Sequence, residues 1–123
     1  MLNVLIVEPD PVIALDLTEA VRAADSRASV ETVETAGDCS ALYGSGRRYT
    51  HGFVRTLSTH EREAAQGCID LLARAGAEVV LLGAELPERR VASAGSVRCL
   101  PFPFTARQVA AILKPMPEAP TAA

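Results

Sequence analysis

The chain has 123 residues, 49% of them apolar and 22% charged, which fits one folded domain and excludes a disordered chain. Its net charge of −3 excludes nucleic acid or an anionic membrane as the default partner. No apolar run approaches the roughly 20 residues that span a bilayer, and no basic segment precedes the apolar start, as a secretory signal would require. Cys39, Cys68 and Cys99 follow no metal spacing and read as three reduced, partly buried thiols in a cytoplasmic protein.

Residues 2–7 form a short run rich in β-branched side chains, the pattern of a strand buried on both faces. Asp10-Pro11 supplies an N-cap and a first helical position. Ile13, Leu17, Ala20, Val21 and Ala24 then recur at helical spacing, predicting a helix over 11–24. Residues 28–35 are rich in Val and Thr but carry two glutamates, which suits an edge strand. A short helix fits 38–43, and Gly44-Ser45-Gly46-Arg47-Arg48 follows as a basic loop.

A third strand is predicted over 51–57. Ser58 and Glu61 have capping-box spacing, and Ala65, Cys68, Ile69 and Leu72 continue as a helix that Gly76 stops. Residues 77–82 form another apolar strand. The stretch 83–95 has room for a turn or two of helix at most, and 97–100 is a fifth short strand. Thr105 and Gln108 open a last helix with Val109, Ile112 and Leu113 on its stripe. Residues 115–123 read as a flexible tail after a domain spanning 1–114.

Strands alternating with helices predict an α/β, flavodoxin-like three-layer sandwich. Its parallel sheet would have the order 2-1-3-4-5, with the helix between the fourth and fifth strands shortened or absent. In such folds ligands sit beyond the carboxyl ends of the strands. The positions there are Glu8 to Asp10, Thr56, Gly83 and Phe102.

Two segments carry a resemblance to a known family. Residues 3–11, Asn-Val-Leu-Ile-Val-Glu-Pro-Asp-Pro, resemble the first strand and acidic cluster of bacterial response-regulator receiver domains. Phe102-Pro103-Phe104-Thr105, with Val109 and Ile112-Leu113 behind it, resembles the Lys-Pro-Phe segment opening that family's last helix. The resemblance covers residues 2 to about 114 and implies a two-component or phosphorelay setting. There, a histidine kinase phosphorylates an aspartate ending the third strand. Carboxylates after the first strand hold Mg²⁺, and a Ser or Thr and a Lys contact the phosphoryl oxygens.

Position by position, this chain departs from that pattern. Glu8 occupies the first acidic position and Pro9 the second, with Asp10 beside it. Thr56 occupies the acceptor position, Gly83 the hydroxyl position and Phe102 the lysine position. No Asp or Glu occurs from Cys39 to His60, and the sole lysine, Lys114, is remote. In a competing register residues 78–87 are the third strand and Gly83 replaces the acceptor, but too few residues then remain before Phe102 for a strand and a helix.

The expectation is therefore a degenerate, stand-alone receiver-like signalling module. It would act by protein–protein interaction, including homodimerisation, with no catalytic residue, cofactor or metal. Phe102, Phe104, Val109 and Leu113, with Arg89 and Arg90, form the expected interface on a thinly covered flank of the sheet. The alternative is a small α/β domain whose Gly44–Arg48 loop binds a phosphate-bearing ligand. His51, His60 and Cys39 match no ligand set, and Cys68 lies on an apolar stripe rather than beside a base.

Overall fold

Apolar side chains that alternate along a strand must face two different covers, and this alternation organises the molecule. The computed structural model describes residues 1–83 and 97–114. Five parallel strands, β1 (Asn3–Val7), β2 (Ser29–Val33), β3 (His51–Arg55), β4 (Glu78–Leu82) and β5 (Val97–Leu100), form one sheet in the order β2-β1-β3-β4-β5. Among the described residues, four helices cover it: α1 (Pro11–Ala24), α2 (Gly37–Gly44), α3 (Thr59–Arg74) and α4 (Ala106–Leu113). The expected flavodoxin-like order is the observed one. β4 lies between β3 and β5, so Gly83 follows the fourth strand and the competing register is excluded. The expectations for 83–95, beyond Gly83 itself, and for the tail at 115–123 lie outside the described residues.

Val4 and Ile6 face one core with Phe53, Val80, Leu82 and Leu100, closed by Leu17 and Val21 of α1 and Val109 and Ile112 of α4. Leu5 and Val7 face the other, with Val54, Val79 and Leu81, closed by Cys39 of α2 and Cys68, Ile69 and Leu72 of α3. Each fully buried Val, Leu or Phe contributes on the order of 1.5–3 kcal/mol. Gly52 marks a close approach between helix and sheet: a Cβ there would stand 2.6 Å from Leu72 Cδ1, so α3 presses onto β3 where the strand has no side chain.

Helix ends follow their sequence signals. Asp10 Oδ1 accepts the Val12 N–H at 2.9 Å with Pro11 at the first helical position. Thr105 and Gln108 form a complete capping box. Gly76, at φ +91°, turns the chain from α3 into β4. β2 is an edge strand with no fully buried side chain, which is why it tolerates Glu31 at its middle and Glu34 just beyond its end.

At the amino-terminal end of the sheet His51 is buried, and its Nδ1 lies 2.9 Å from Thr50 Oγ1. Burial pushes its pKa below the ordinary 6.5; the Glu78 carboxylate opposes the shift and the Arg98 guanidinium adds to it. The unfolded chain therefore takes up this proton at a higher pH than the folded one. Stability from this residue is complete above the unfolded pKa and declines as pH falls through it. Chemical denaturation at about pH 7.5 and about pH 5.5 is expected to show a larger loss for the wild type than for His51→Gln.

Candidate functional site

The carboxyl ends of β1, β3, β4 and β5 converge on one end of the sheet. Glu8 directly follows β1 and continues its pairing with β2, its N–H donating to the Val33 carbonyl at 3.0 Å. Its side chain is only 1% exposed. A buried carboxylate requires partners, and two are present. The Asp10 N–H donates to Oε2 at 2.9 Å, and Arg55 Nη1 donates to the same oxygen at 2.7 Å.

Arg55 is the last residue of β3. The parallel register that sets Val7 beside Val54 brings the next residues, Glu8 and Arg55, level with each other. The guanidinium has a second anchor, because Nε donates to Glu61 Oε2 at 3.0 Å. Glu61 Oε1 in turn accepts the Leu57 N–H at 2.8 Å. Two carboxylates thus hold one guanidinium, and through it β1, β3 and the first turn of α3 are tied together. Hydrogen bonding to Glu8 raises the Arg55 pKa above its ordinary value, so this charge is permanent.

Sequence reasoning assigned Ser58 and Glu61 a capping box. Ser58 Oγ does accept the Glu61 N–H at 3.1 Å, but the Glu61 carboxylate reaches past the cap to Leu57 and Arg55. Its role in the site was missed. Its signal was a lone arginine ending an apolar strand, next to a carboxylate that ends another.

The other anticipated positions are brought to the same end. Pro9 is exposed and Asp10 serves as the cap of α1. Thr56 is buried; its N–H donates to the Leu82 carbonyl at 3.1 Å and its hydroxyl to the same oxygen at 3.4 Å. That hydroxyl is turned into the sheet. Gly83 has φ +83°, and a Cβ there would stand 2.0 Å from Leu57 Cδ2. Phe102 is 44% exposed, beside Phe104 at 6.2 Å between ring centres. Lys114 lies at the opposite end, lining a cavity with Met1, Leu2, His51 and Glu78. Among the described residues, no group of three His, Cys, Asp or Glu side chains is placed to hold a metal ion.

One expectation is corrected here. Val109 and Leu113 do not form an exposed patch with the phenylalanines. Both are buried against α1 and the sheet, and Phe104 packs partly onto the same core. Their burial follows from α4 lying against α1 with its apolar stripe turned inward. Arg89 and Arg90 lie outside the described residues. In the Gly44–Arg48 loop, Arg47 is paired with Glu31, while Arg48 stacks on Tyr43 at 5.6 Å and donates to the Arg47 carbonyl. Both guanidiniums face groups of the chain itself rather than an empty cradle.

Removing the Arg55 charge leaves a buried carboxylate unpaired. Arg55→Met is expected to cost about 2–4 kcal/mol in denaturant unfolding, whereas Arg47→Met, which breaks an exposed pair, costs at most about 1 kcal/mol. Adding Glu8→Gln to Arg55→Met should recover part of the loss, because the neutral amide removes the stranded charge.

No protein-family profile and no curated protein matches the chain. Solved structures do. The receiver domain of DrrB in its BeF₃-activated form is similar at 15% identity, with a TM-score of 0.65 over 91% of this chain and 93% of that one. The pilus assembly protein CpaE from Caulobacter crescentus CB15 is similar at 20% identity, with a TM-score of 0.64 over 90% of this chain and 95% of that one. Together with the 2-1-3-4-5 sheet, these likenesses establish that the fold of this chain is receiver-like.

Proposed function

We propose that the chain is a non-phosphorylatable, receiver-like signalling module of a bacterial two-component or phosphorelay-type pathway. It acts in the cytoplasm by binding a protein partner, without catalytic turnover or a cofactor. The observation that carries this reading is the Arg55 guanidinium on the buried Glu8 carboxylate. Phosphoryl transfer to a receiver needs an acceptor carboxylate, a divalent cation and countercharge together. Here the carboxylate that would attract the cation is already neutralised, and Mg²⁺ would have to displace a buried ion pair and also shed its own water. The hydroxyl of Thr56 faces the Leu82 carbonyl, and Gly83 and Phe102 bring neither hydroxyl nor cation. The loop alternative has no comparable support, since Arg47 and Arg48 are engaged with the protein.

Incubation with Mg²⁺ and acetyl phosphate is expected to leave the intact mass unchanged. An acid-labile adduct of one HPO₃ would overturn the proposal. Titration calorimetry with Mg²⁺ should likewise reveal no dedicated site.

The partner surface in this reading is the strand-end face around Phe102, with Leu57, after β3, at the same end of the sheet. Both side chains are substantially exposed, and exposed apolar groups of this size favour an interface. Without a phosphoryl input the interaction is constitutive. Sedimentation across micromolar concentrations is expected to show self-association that Phe102→Asp weakens; a strict monomer rejects the homodimer.

A further inference from the structure

A cavity of about 710 Å³ opens at the amino-terminal end of the sheet, opposite the strand-end site. Its volume lies within the roughly 300–1,000 Å³ of ligand pockets. Polar side chains form its floor. His51 and Glu78 line it and are register partners at the starts of β3 and β4. Each stands two residues before a core side chain, Phe53 and Val80 respectively. The period of two therefore turns both toward the face that α1 and α4 cover.

Among the described residues, that cover stops short of the sheet edge. The eight residues of α4 run about 12 Å, while the five of β4 run about 16 Å. Lys114 ends α4 at the rim. The walls are low, with Ala24, Gly76 and Ala110 where larger side chains would fill the space. Leu2 and Leu113 add apolar surface to the lining.

The polar groups here are mostly hydrogen-bond acceptors. α1 and α4 both end at the cavity, so their last carbonyls lend it partial negative charge. Asp25, directly after α1, is part of the lining. Its Oδ1 accepts the Arg27 N–H at 2.9 Å, and among the described residues no arginine or lysine pairs with it. Glu78 is paired with Arg98 at 2.7 Å. Burial holds the His51 imidazole neutral at pH 7 and above. Lys114 brings the opposing charge, on an exposed side chain.

We propose that this cavity binds a small primary amine with an apolar body, in its ammonium form. The ammonium group gives its hydrogens to the Asp25 carboxylate and the acceptors around it. The apolar body rests against Leu2, Ala110 and Leu113. Such a molecule answers two features of the cavity together. Its body covers the apolar lining, which a bare ion cannot do. Its charge suits a rim of helix carboxyl ends and an unpaired carboxylate, where a ligand carboxylate would be repelled.

The test uses the full wild-type chain, ¹⁵N-labelled, and probes that share one body and differ in the head group: benzylamine, benzyl alcohol and benzoate. Benzylamine at millimolar concentration is expected to shift the amide signals of Asp25, Thr50, His51 and Ala110 saturably. Benzyl alcohol should bind several-fold more weakly, and benzoate should leave those signals in place. Asp25→Asn, which keeps an acceptor for the Arg27 N–H, should weaken benzylamine about tenfold, the loss of one charge-assisted contact. Ala110→Trp, which fills the space, should abolish binding, and circular dichroism shows whether that variant has folded. The wild-type titration decides the matter even if it has not. Absence of saturable benzylamine shifts at these amides overturns the proposal. So does benzoate binding as tightly as benzylamine, or unchanged benzylamine affinity in Asp25→Asn. Each of these outcomes is independent of the reading of the strand-end site.

Discussion

A buried carboxylate must be matched, and in this protein the match between Glu8 and Arg55 sets the character of the whole strand-end face. One guanidinium, 23% exposed, bridges a carboxylate at 1% and another at 34%. The pair is not chiefly a source of stability, since desolvation offsets much of its attraction. Its effect is to specify. With Arg55 in place, the end of β1 cannot shift relative to β3 without stranding a charge, and the first turn of α3 is fixed by the same side chain. A divalent cation in a working site of this fold would neutralise carboxylates from outside. Here an amino acid does so from within, with a charge that does not dissociate.

The fold was legible because its strands say where they belong. The runs at 2–7 and 77–82 are apolar on both faces, and they are interior strands; the run at 28–35 carries glutamates, and it is the edge. Helix boundaries were legible where capping chemistry is local, as at Asp10-Pro11 and at Thr105 with Gln108. The third strand ended two residues earlier than expected, at Arg55. There Leu57 turns out of the ladder as its N–H is taken by Glu61.

The site was legible only as a set of positions. Sequence placed Glu8, Pro9, Thr56, Gly83 and Phe102 at one end of the sheet, and they are there. It could not reveal Arg55 as the partner of Glu8, because the two are 47 residues apart and meet only through the β1–β3 register. Nor could it reveal that the Glu61 carboxylate would leave its own cap. The expected patch failed for a related reason. Val109 and Leu113 were read as exposed because 83–95 seemed too short to roof the sheet. α4 itself packs beside α1 and buries them.

Gly83 limits what can stand at the end of β4. Placing a hydroxyl-bearing side chain at that position faces two separate obstacles. A side chain at φ +83° is strained whatever surrounds it, and its Cβ would collide with the end of Leu57. Leu57 is 40% exposed and can swing aside at little cost, but the backbone cannot be relieved that way. It is held by the Gly83 N–H donating to the Leu100 carbonyl at 2.9 Å. Serine at 83 and a smaller residue at 57 would therefore not be additive changes. A side chain that offers a hydroxyl at this position therefore calls for a different backbone conformation at the end of β4, and not only for space beside it.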